Sequence, residues 1–574
     1  MKKLGFAISI ILLTVLAAIL FSCQKTDPAV TQGVDETKST GVTTTVVTTS
    51  SPDVFKVDLS EYTIIRYEKE NDATCTAVSN FKSMIKDATG YNIKIKIDEV
   101  RKGETLDESK PEILIGKTNR TASKNALERL NESETRDYII EIKGNKIVLI
   151  GKNDTSLYYA MREFVRLFVS SLDKQTVLAV DKEVSIAGNI SDKLYVMNDL
   201  MCAEVLKDNV MQSAYNDSSL MPTYQRIVKL EHNGENNGTL FVTGQWSRNS
   251  FPIYRSTDDG KRWTLITTVT EKFDTSLNGN WQPHIFELPN KVGDMPEGTL
   301  LLAGCSHADS RTAMCIWRSF DLGKTWEEYT IVDKHNGPGG LWEPFLICDE
   351  DGSLVCFYSD ESEVSDYGGQ RLVFKVSKDG KTWGEKKYCV APENKHLRPG
   401  MVTVAKAGDN GYVMAYEMIG SSTLNGILYS KSSESLTEWD YTDYGTLIKT
   451  DQNVVASHTP YCEWTPLGGE LGTVFVTGQH GGYDKIPSSD IFVSYDLGKT
   501  WNSFTNPFKF DFVKSAAGNY AYSPGFFTDK DGFVYYVNNV FPEYDRYVYM
   551  FADTRVAKIK MYSINEEVKS TVNE

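Results

Sequence analysis

The chain has no CxxC pair and no grouping of cysteine and histidine at zinc-binding spacing. A structural zinc site of the finger or ribbon kind is therefore excluded. Basic residues are in deficit, with 61 Lys and Arg against 77 Asp and Glu and a net charge of −16. A surface of that sign repels a phosphate backbone, so no nucleic-acid partner is expected. Beyond the first residues, no stretch is long and apolar enough to span a bilayer. Convincing helical periodicity is scarce in the second half, which leaves strands to form it. After Cys23, cysteines stand at 75, 202, 305, 315, 348, 356, 389 and 462. Several lie in apolar strand patterns, such as Leu346-Ile347-Cys348 and Val355-Cys356-Phe357, and read as small buried hydrophobes. With 574 residues the chain is too long for one core, and two or more domains are expected.

The start of the chain sets an expectation about compartment. Lys2 and Lys3 precede an apolar run from Leu4 to Leu20, which describes a secretory signal. The ending Leu20-Phe21-Ser22-Cys23 resembles a bacterial lipobox. That resemblance implies that residues 1–22 are removed and that Cys23 becomes a lipidated first residue. Residues 23–53 are polar and rich in Thr and Ser, and read as a disordered tether. The protein is expected outside the cytoplasm, held to a bacterial membrane by this lipid.

Two folded regions follow, with a short tail at 567–574. The first, 54–190, alternates strand and helix patterns and reads as a small α/β domain. Strands are expected near Tyr62–Tyr67, Tyr91–Ile97 and Glu112–Gly116, with helices over 74–88 and from Asp154 to Phe168. Gly144-Asn145 joins two apolar runs as a hairpin turn. Ile113-Leu114-Ile115-Gly116-Lys117-Thr118-Asn119-Arg120, with Lys152-Asn153 and Tyr158-Tyr159-Ala160, resembles the N-terminal accessory domain of α-glucuronidases and hexosaminidases. An accessory or packing role is implied.

The second region, 191–566, repeats itself. Ser256-Thr257-Asp258-Asp259-Gly260-Lys261-Arg262-Trp263 recurs at Ser319 to Trp326 and at Ser494 to Trp501. A shortened copy runs from Ser377 to Trp383 and a worn one from Ser430 to Trp439. These are Asp-boxes. Ser and Asp bond nearby backbone, Gly takes a turn that other residues resist, and Trp folds back over the gap. The box fastens a hairpin and does not contact ligand. A spacing of about 55–65 residues fits an all-β, six-bladed β-propeller of the sialidase-like kind, with five blades as the alternative. Such a ring gathers loops around one funnel, where a ligand would bind.

Chemistry is therefore sought between the boxes. Glu343 lies between Trp342 and Pro344 at the start of an apolar run. An aromatic neighbour desolvates a carboxyl and raises its pKa, which suits a general acid. Glu417 ends the apolar run from Tyr412, with Arg398 as its expected partner. Arg226 precedes another strand pair.

The ordered set Gln282-Pro283 and Glu287-Leu288-Pro289; Trp342-Glu343-Pro344-Phe345 and Tyr358-Ser359-Asp360; Arg398-Pro399-Gly400; Tyr416-Glu417; and Thr459-Pro460-Tyr461 with Trp464 resembles glycoside hydrolase family 93, the exo-α-L-arabinanases. The resemblance implies Glu343 as acid/base and Glu417 as nucleophile. Arg226, Gln282, Trp342, Tyr358, Asp360, Arg398 and Tyr522 are the expected substrate contacts. A monomer is expected, acting on a polysaccharide with no metal or cofactor. Two rivals stay open. Arg226-Ile227 is similar to the first arginine motif of sialidases, with Tyr520 or Tyr522 as a funnel tyrosine, but Val228 stands where sialidases have Pro and no full arginine triad is found. The other rival is a surface glycan-binding propeller without catalysis.

Overall fold

The computed structural model describes residues 55–563, apart from 71, 101–105, 134–135, 137, 153, 181, 189–193, 197–200, 214–222, 246–249, 271–278, 309, 365–368, 421–425, 452, 483–489, 505, 509–521 and 541–552. The expected signal, Cys23, the whole tether, Tyr520 and the tail at 567–574 lie outside the described residues. No helix among the described residues is long and apolar enough to cross a membrane.

The N-terminal region is one six-stranded mixed sheet with helices. Lys94–Ile97, Thr63–Arg66, Glu112–Ile115 and Lys146–Gly151 run parallel, and Tyr138–Lys143 and Val184–Gly188 complete the sheet in antiparallel pairing. Ile113, Leu114 and Ile115 are fully buried, as a parallel strand covered on both faces requires. Helices span Asp72–Thr89, Thr121–Glu132 and Asp154–Phe164, the last running into a π turn at Val165–Val169. Glu112 receives both Arg120 and Lys146, so the buried charges at this sheet end are paired.

Among the described residues the rest forms six antiparallel blades, four of them four-stranded, with a six-stranded sheet in blade four and a five-stranded one in blade six, and the five-bladed alternative is discarded. The innermost strands of blades one to five begin at Thr223, Gly279, Leu341, Arg398 and Tyr461. Blade six is built from both parts of the region. Gly525–Thr528, Val534–Val540 and Asp553–Ser563 are joined by Met201–Ser213, which pairs along the whole of the last C-terminal strand. The ring is thus closed by main-chain hydrogen bonds, which removes its open edge.

The Asp-boxes sit between the third and fourth strands of blades one to five, on the outer side of each. In blade two, Ser319 Oγ donates to Asp321 Oδ1 at 2.9 Å and accepts from Gly323 N–H at 3.0 Å. Asp321 Oδ1 accepts from Thr325 N–H at 2.9 Å, and Trp326 Nε1 closes on Gly323 O at 3.0 Å. Gly323 has φ 73°, the left-handed turn expected of this position. Blades one and five repeat the bonds from Ser256 and Ser494.

The two regions share one apolar cluster, which runs from Phe81 and Phe164 in the α/β layer to Trp501 and Phe504 in blade five. Within this contact Arg162 makes a two-pronged pair with Asp490, with Nη1 to Oδ1 at 2.7 Å and Nη2 to Oδ2. Both side chains are buried. The α/β layer is therefore fastened to the propeller wall.

Candidate active site

Each innermost strand enters the funnel through a strained residue. Tyr224, Gln282, Glu343, Met401, Thr459 and Ser523, one per blade, have φ between 50° and 58°. In blades one to four the strand register shifts at this point, as at a β-bulge. A non-glycine residue in the left-handed region costs about 1–3 kcal/mol, and such strain collects where a side chain must be re-aimed. In four of the six the next residue is proline: Pro283, Pro344, Pro460 and Pro524. Proline brings no N–H to a point where the ladder is already broken.

Hydrogen bonds link these residues across blades. Glu343 N–H donates to Gln282 Oε1 at 3.0 Å, which fixes the amide orientation. The Gln282 Nε2 group then faces Glu343 Oε1 at 3.1 Å and the Tyr224 hydroxyl at 3.1 Å. Tyr224 Oη itself lies 3.5 Å from the same carboxyl oxygen. Glu343 Oε2 is enclosed and makes no well-aligned hydrogen bond, and the Ser359 hydroxyl lies close to the carboxyl. With Oε1 taken by donors, a proton on this group belongs on Oε2. Burial pushes the Glu343 carboxyl up to about 7, helped by the charges of Glu417 and Glu361. The Ser359 hydroxyl, which accepts from Met401 N–H at 3.0 Å, and the Arg398 charge hold the rise in check.

Glu417 comes from the second strand of blade four, Tyr412–Ile419, opposite Gly400. A Cβ at Gly400 would lie 2.8 Å from Gln370 Nε2 and 3.4 Å from Glu417 Oε1. The missing side chain leaves room for the carboxylate over the innermost strand. Glu417 Oε2 accepts from Thr459 N–H at 2.9 Å, and Thr459 Oγ1 in turn accepts from Ser523 N–H at 3.0 Å. Burial raises the Glu417 carboxyl, while the Thr459 N–H and the Arg398 charge oppose that rise. Tyr522 is within electrostatic reach of Glu343, Glu417 and Arg398, and its ring packs edge-on to Tyr224 at 5.5 Å. Burial and both carboxylates push its phenol well above the ordinary range.

Below this layer the funnel is plugged. His284 packs on Phe345 at 4.4 Å, Phe345 on Tyr461 at 5.9 Å, and the Arg226 guanidinium lies 4.9 Å over Tyr461. His284 Nδ1 accepts from Leu346 N–H at 3.1 Å, and burial beside Arg226 keeps the ring neutral. The plug gives the site a floor.

The structure brings Glu343, Glu417, Gln282, Tyr522 and Arg398 together, with Trp342 beside them. Arg398 stands at the rim, held by Glu361 Oε1 at 2.7 Å and Gln370 Oε1 at 2.8 Å. Three expected substrate contacts are corrected. Arg226 is buried, and it donates to Gln225 O, Ser523 O and Ser523 Oγ at 2.7, 3.1 and 3.0 Å. It is a clamp between blades one and six. Tyr358 is fully buried and donates to Asp333 Oδ2 at 2.6 Å. Asp360 is buried against Lys386 Nζ at 2.8 Å. Both belong to a charge network that joins blades two and three, with Asp333 from one and Lys386 from the other, rather than to the carboxylate pair. Sequence reasoning missed Tyr224, Ser359, Glu361 and Ser523. A signal for the funnel positions was present in the X-Pro steps at 283, 344, 460 and 524, which recur at about one or two blade lengths.

Among known families, the model for a BNR repeat-like domain matches residues 237–398. The six blades, the boxes and the closure define the chain as a sialidase-like propeller. The α-L-arabinanase of Penicillium chrysogenum, solved with arabinobiose, is similar at 27% identity over 62% of this chain and 98% of its own, with a TM-score of 0.52. The GH93 α-L-arabinofuranosidase of Fusarium graminearum, also solved with arabinobiose, has the same fold at 24% identity, the same shares and a TM-score of 0.52. Among curated proteins no match is found.

Proposed function

We propose that the chain is a retaining exo-glycosidase that acts on α-L-arabinan or a related polysaccharide. One observation carries this reading. Glu343 is kept protonated near neutrality by its burial, while Glu417, in electrostatic reach, is tied down by a backbone N–H. Environments that set two carboxyls to different tasks are the mark of glycoside hydrolysis. The likeness to the arabinobiose-bound enzymes supports the sugar class.

In the proposed reaction the Glu343 proton passes to the glycosidic oxygen as the bond from that oxygen to the anomeric carbon breaks. A Glu417 oxygen bonds the anomeric carbon from the other face. The leaving chain departs as an alcohol. Water then gives a proton to Glu343, its oxygen displaces Glu417, and the sugar leaves with retained configuration. Gln282 and Tyr224 orient the acid throughout. The sialidase alternative is weakened because Arg226 is buried and its Nη1 and Nη2 groups donate to Gln225 and Ser523 of the protein itself. The signal and lipobox pattern support export and anchoring through Cys23 as part of the same proposal.

The test is sugar release by the chain lacking residues 1–52, against linear arabinan and sialyl-lactose, with proton NMR of the first anomer formed. Release from arabinan with retained configuration is expected, lost in Glu343→Gln and Glu417→Gln. Azide should restore turnover in Glu417→Gly and trap a glycosyl azide of inverted configuration. Binding to arabinan without release by the wild type would make the chain a glycan-binding propeller instead.

A further inference from the structure

A strip of aromatic rings stands beside the acid, and what it does rests on the hydrolase reading above. Trp281 precedes Gln282, and Trp342 precedes Glu343, on the innermost strands of neighbouring blades. His307 comes from the end of the strand Leu300–Ala308, opposite Gly279. The rings form one continuous group. Trp281 stacks on His307 at 4.9 Å and 14°, Trp281 and Trp342 are 6.1 Å apart at 23°, and His307 and Trp342 are 5.5 Å apart at 33°. All three residues are half-buried, so part of each still meets solvent.

The group is held in place. Trp342 Nε1 donates to Glu361 Oε2 at 2.9 Å, and Glu361 is gripped by Arg398. Gly340 backs the indole so closely that a Cβ there would lie 2.4 Å from Trp342. Rigid aromatic faces beside a funnel bind flat, partly apolar partners at little cost in ordering. The C–H face of a sugar ring is such a partner. The side matters as well. Trp281 and Trp342 come from blades two and three with Gln282 and Glu343, whereas Glu417 comes from blade four and is held by Thr459 at the entry of blade five. In a two-carboxylate reaction the acid serves the leaving oxygen, so rings on its side meet the departing chain.

We propose that Trp281, His307 and Trp342 form a stacking subsite for the first sugar of the departing polysaccharide chain. Binding there holds the leaving oxygen against the acid, so chain length beyond the cleaved bond raises both affinity and turnover.

The experiment uses arabino-oligosaccharides from di- to pentasaccharide. Affinity is measured by calorimetry in Glu417→Gln, alone and with Trp281→Ala. In parallel, kcat/KM is measured against chain length in the wild type, Trp281→Ala, Trp281→Phe and His307→Ala. The gain per added sugar should drop about tenfold in Trp281→Ala, the order of one lost stacking contact, and recover in Trp281→Phe. An unchanged length dependence in Trp281→Ala and His307→Ala, with the wild type active, would overturn the platform and leave the hydrolase reading standing. A wild type that neither binds nor cleaves any member of the series removes the hydrolase reading and the platform with it.

Discussion

Replacing Glu343 by glutamine should stop the reaction and yet stabilise the fold above neutral pH. Glu343 Oε1 takes donors from Gln282 and Tyr224, and Oε2 is enclosed with no well-aligned hydrogen bond. That setting suits a neutral group. In the unfolded chain the carboxyl titrates near its ordinary 4.5, whereas in the fold it titrates at about 7. A folded pKa raised in this way gives stability that is complete below about 4.5 and is lost as pH rises through about 7. At about 1.36 kcal/mol per unit, the loss across that window is about 3 kcal/mol. Glutamine has the shape of the protonated acid and never ionises, so it escapes the loss. Denaturant unfolding of the two proteins should agree within about 1 kcal/mol near pH 4.5 and differ by about 2–3 kcal/mol near pH 8.5, with glutamine the more stable. Glu463, which burial pushes to about 8, titrates in both proteins and cancels in the comparison. A difference that does not change with pH, or a glutamine variant less stable at pH 8.5, would refute the reasoning.

Three further outcomes test other links. The alkaline limb of kcat/KM should fall near pH 7, and Ser359→Ala should move it to higher pH, because the hydroxyl lowers the Glu343 pKa; pH–rate profiles decide this. Arg162→Ala should lose about 3–5 kcal/mol in unfolding experiments by stranding buried Asp490, whereas Arg162→Met with Asp490→Leu should recover most of it. Asp321→Ala, which breaks the bonds to Ser319 and Thr325 on the outer wall of blade two, should destabilise by about 1–3 kcal/mol and leave kcat/KM as it was.

The parts of this protein legible in the sequence are those whose causes are local. An Asp-box closes within eight residues of its own strand, so its residues announce it wherever it occurs. The two carboxylates were legible for a related reason: Glu343 between Trp342 and Pro344, and Glu417 at the end of an apolar strand, are each out of place as surface charges. Arg226 was misread because its acceptors on Ser523 lie 297 residues away and meet it only when the ring closes. Tyr358 and Asp360 were misread because their partners, Asp333 on a strand of blade two and Lys386 just before Lys387–Val390, reach them from elsewhere in the wall. Strand alternation alone does not say which neighbours those will be. The helix Thr121–Glu132 was missed because its buried side is small, with Ser123, Ala126 and Leu130, and the segment as a whole is polar.

Strain and burial fall on the same residues for a geometric reason. A strand sends alternate side chains to the two faces of its own sheet, and neither direction aims along the funnel axis. A bulge with one left-handed residue breaks that alternation once, at the funnel mouth, and lets Glu343 of blade three reach Gln282 of blade two and Tyr224 of blade one. With the left-handed residue in every blade and the bulge in blades one to four, protein surrounds the carboxyls and strips away their water, which is what raises both of them. The site is therefore locally unstable for the same reason that it is reactive. It persists because the wall around it does not depend on it: the boxes lie on the outer strands, and Met201–Ser213 ties the ring along Asp553–Ser563. It follows that relieving the site should stabilise the protein and silence it, whereas loosening the wall should destabilise it and leave the chemistry intact.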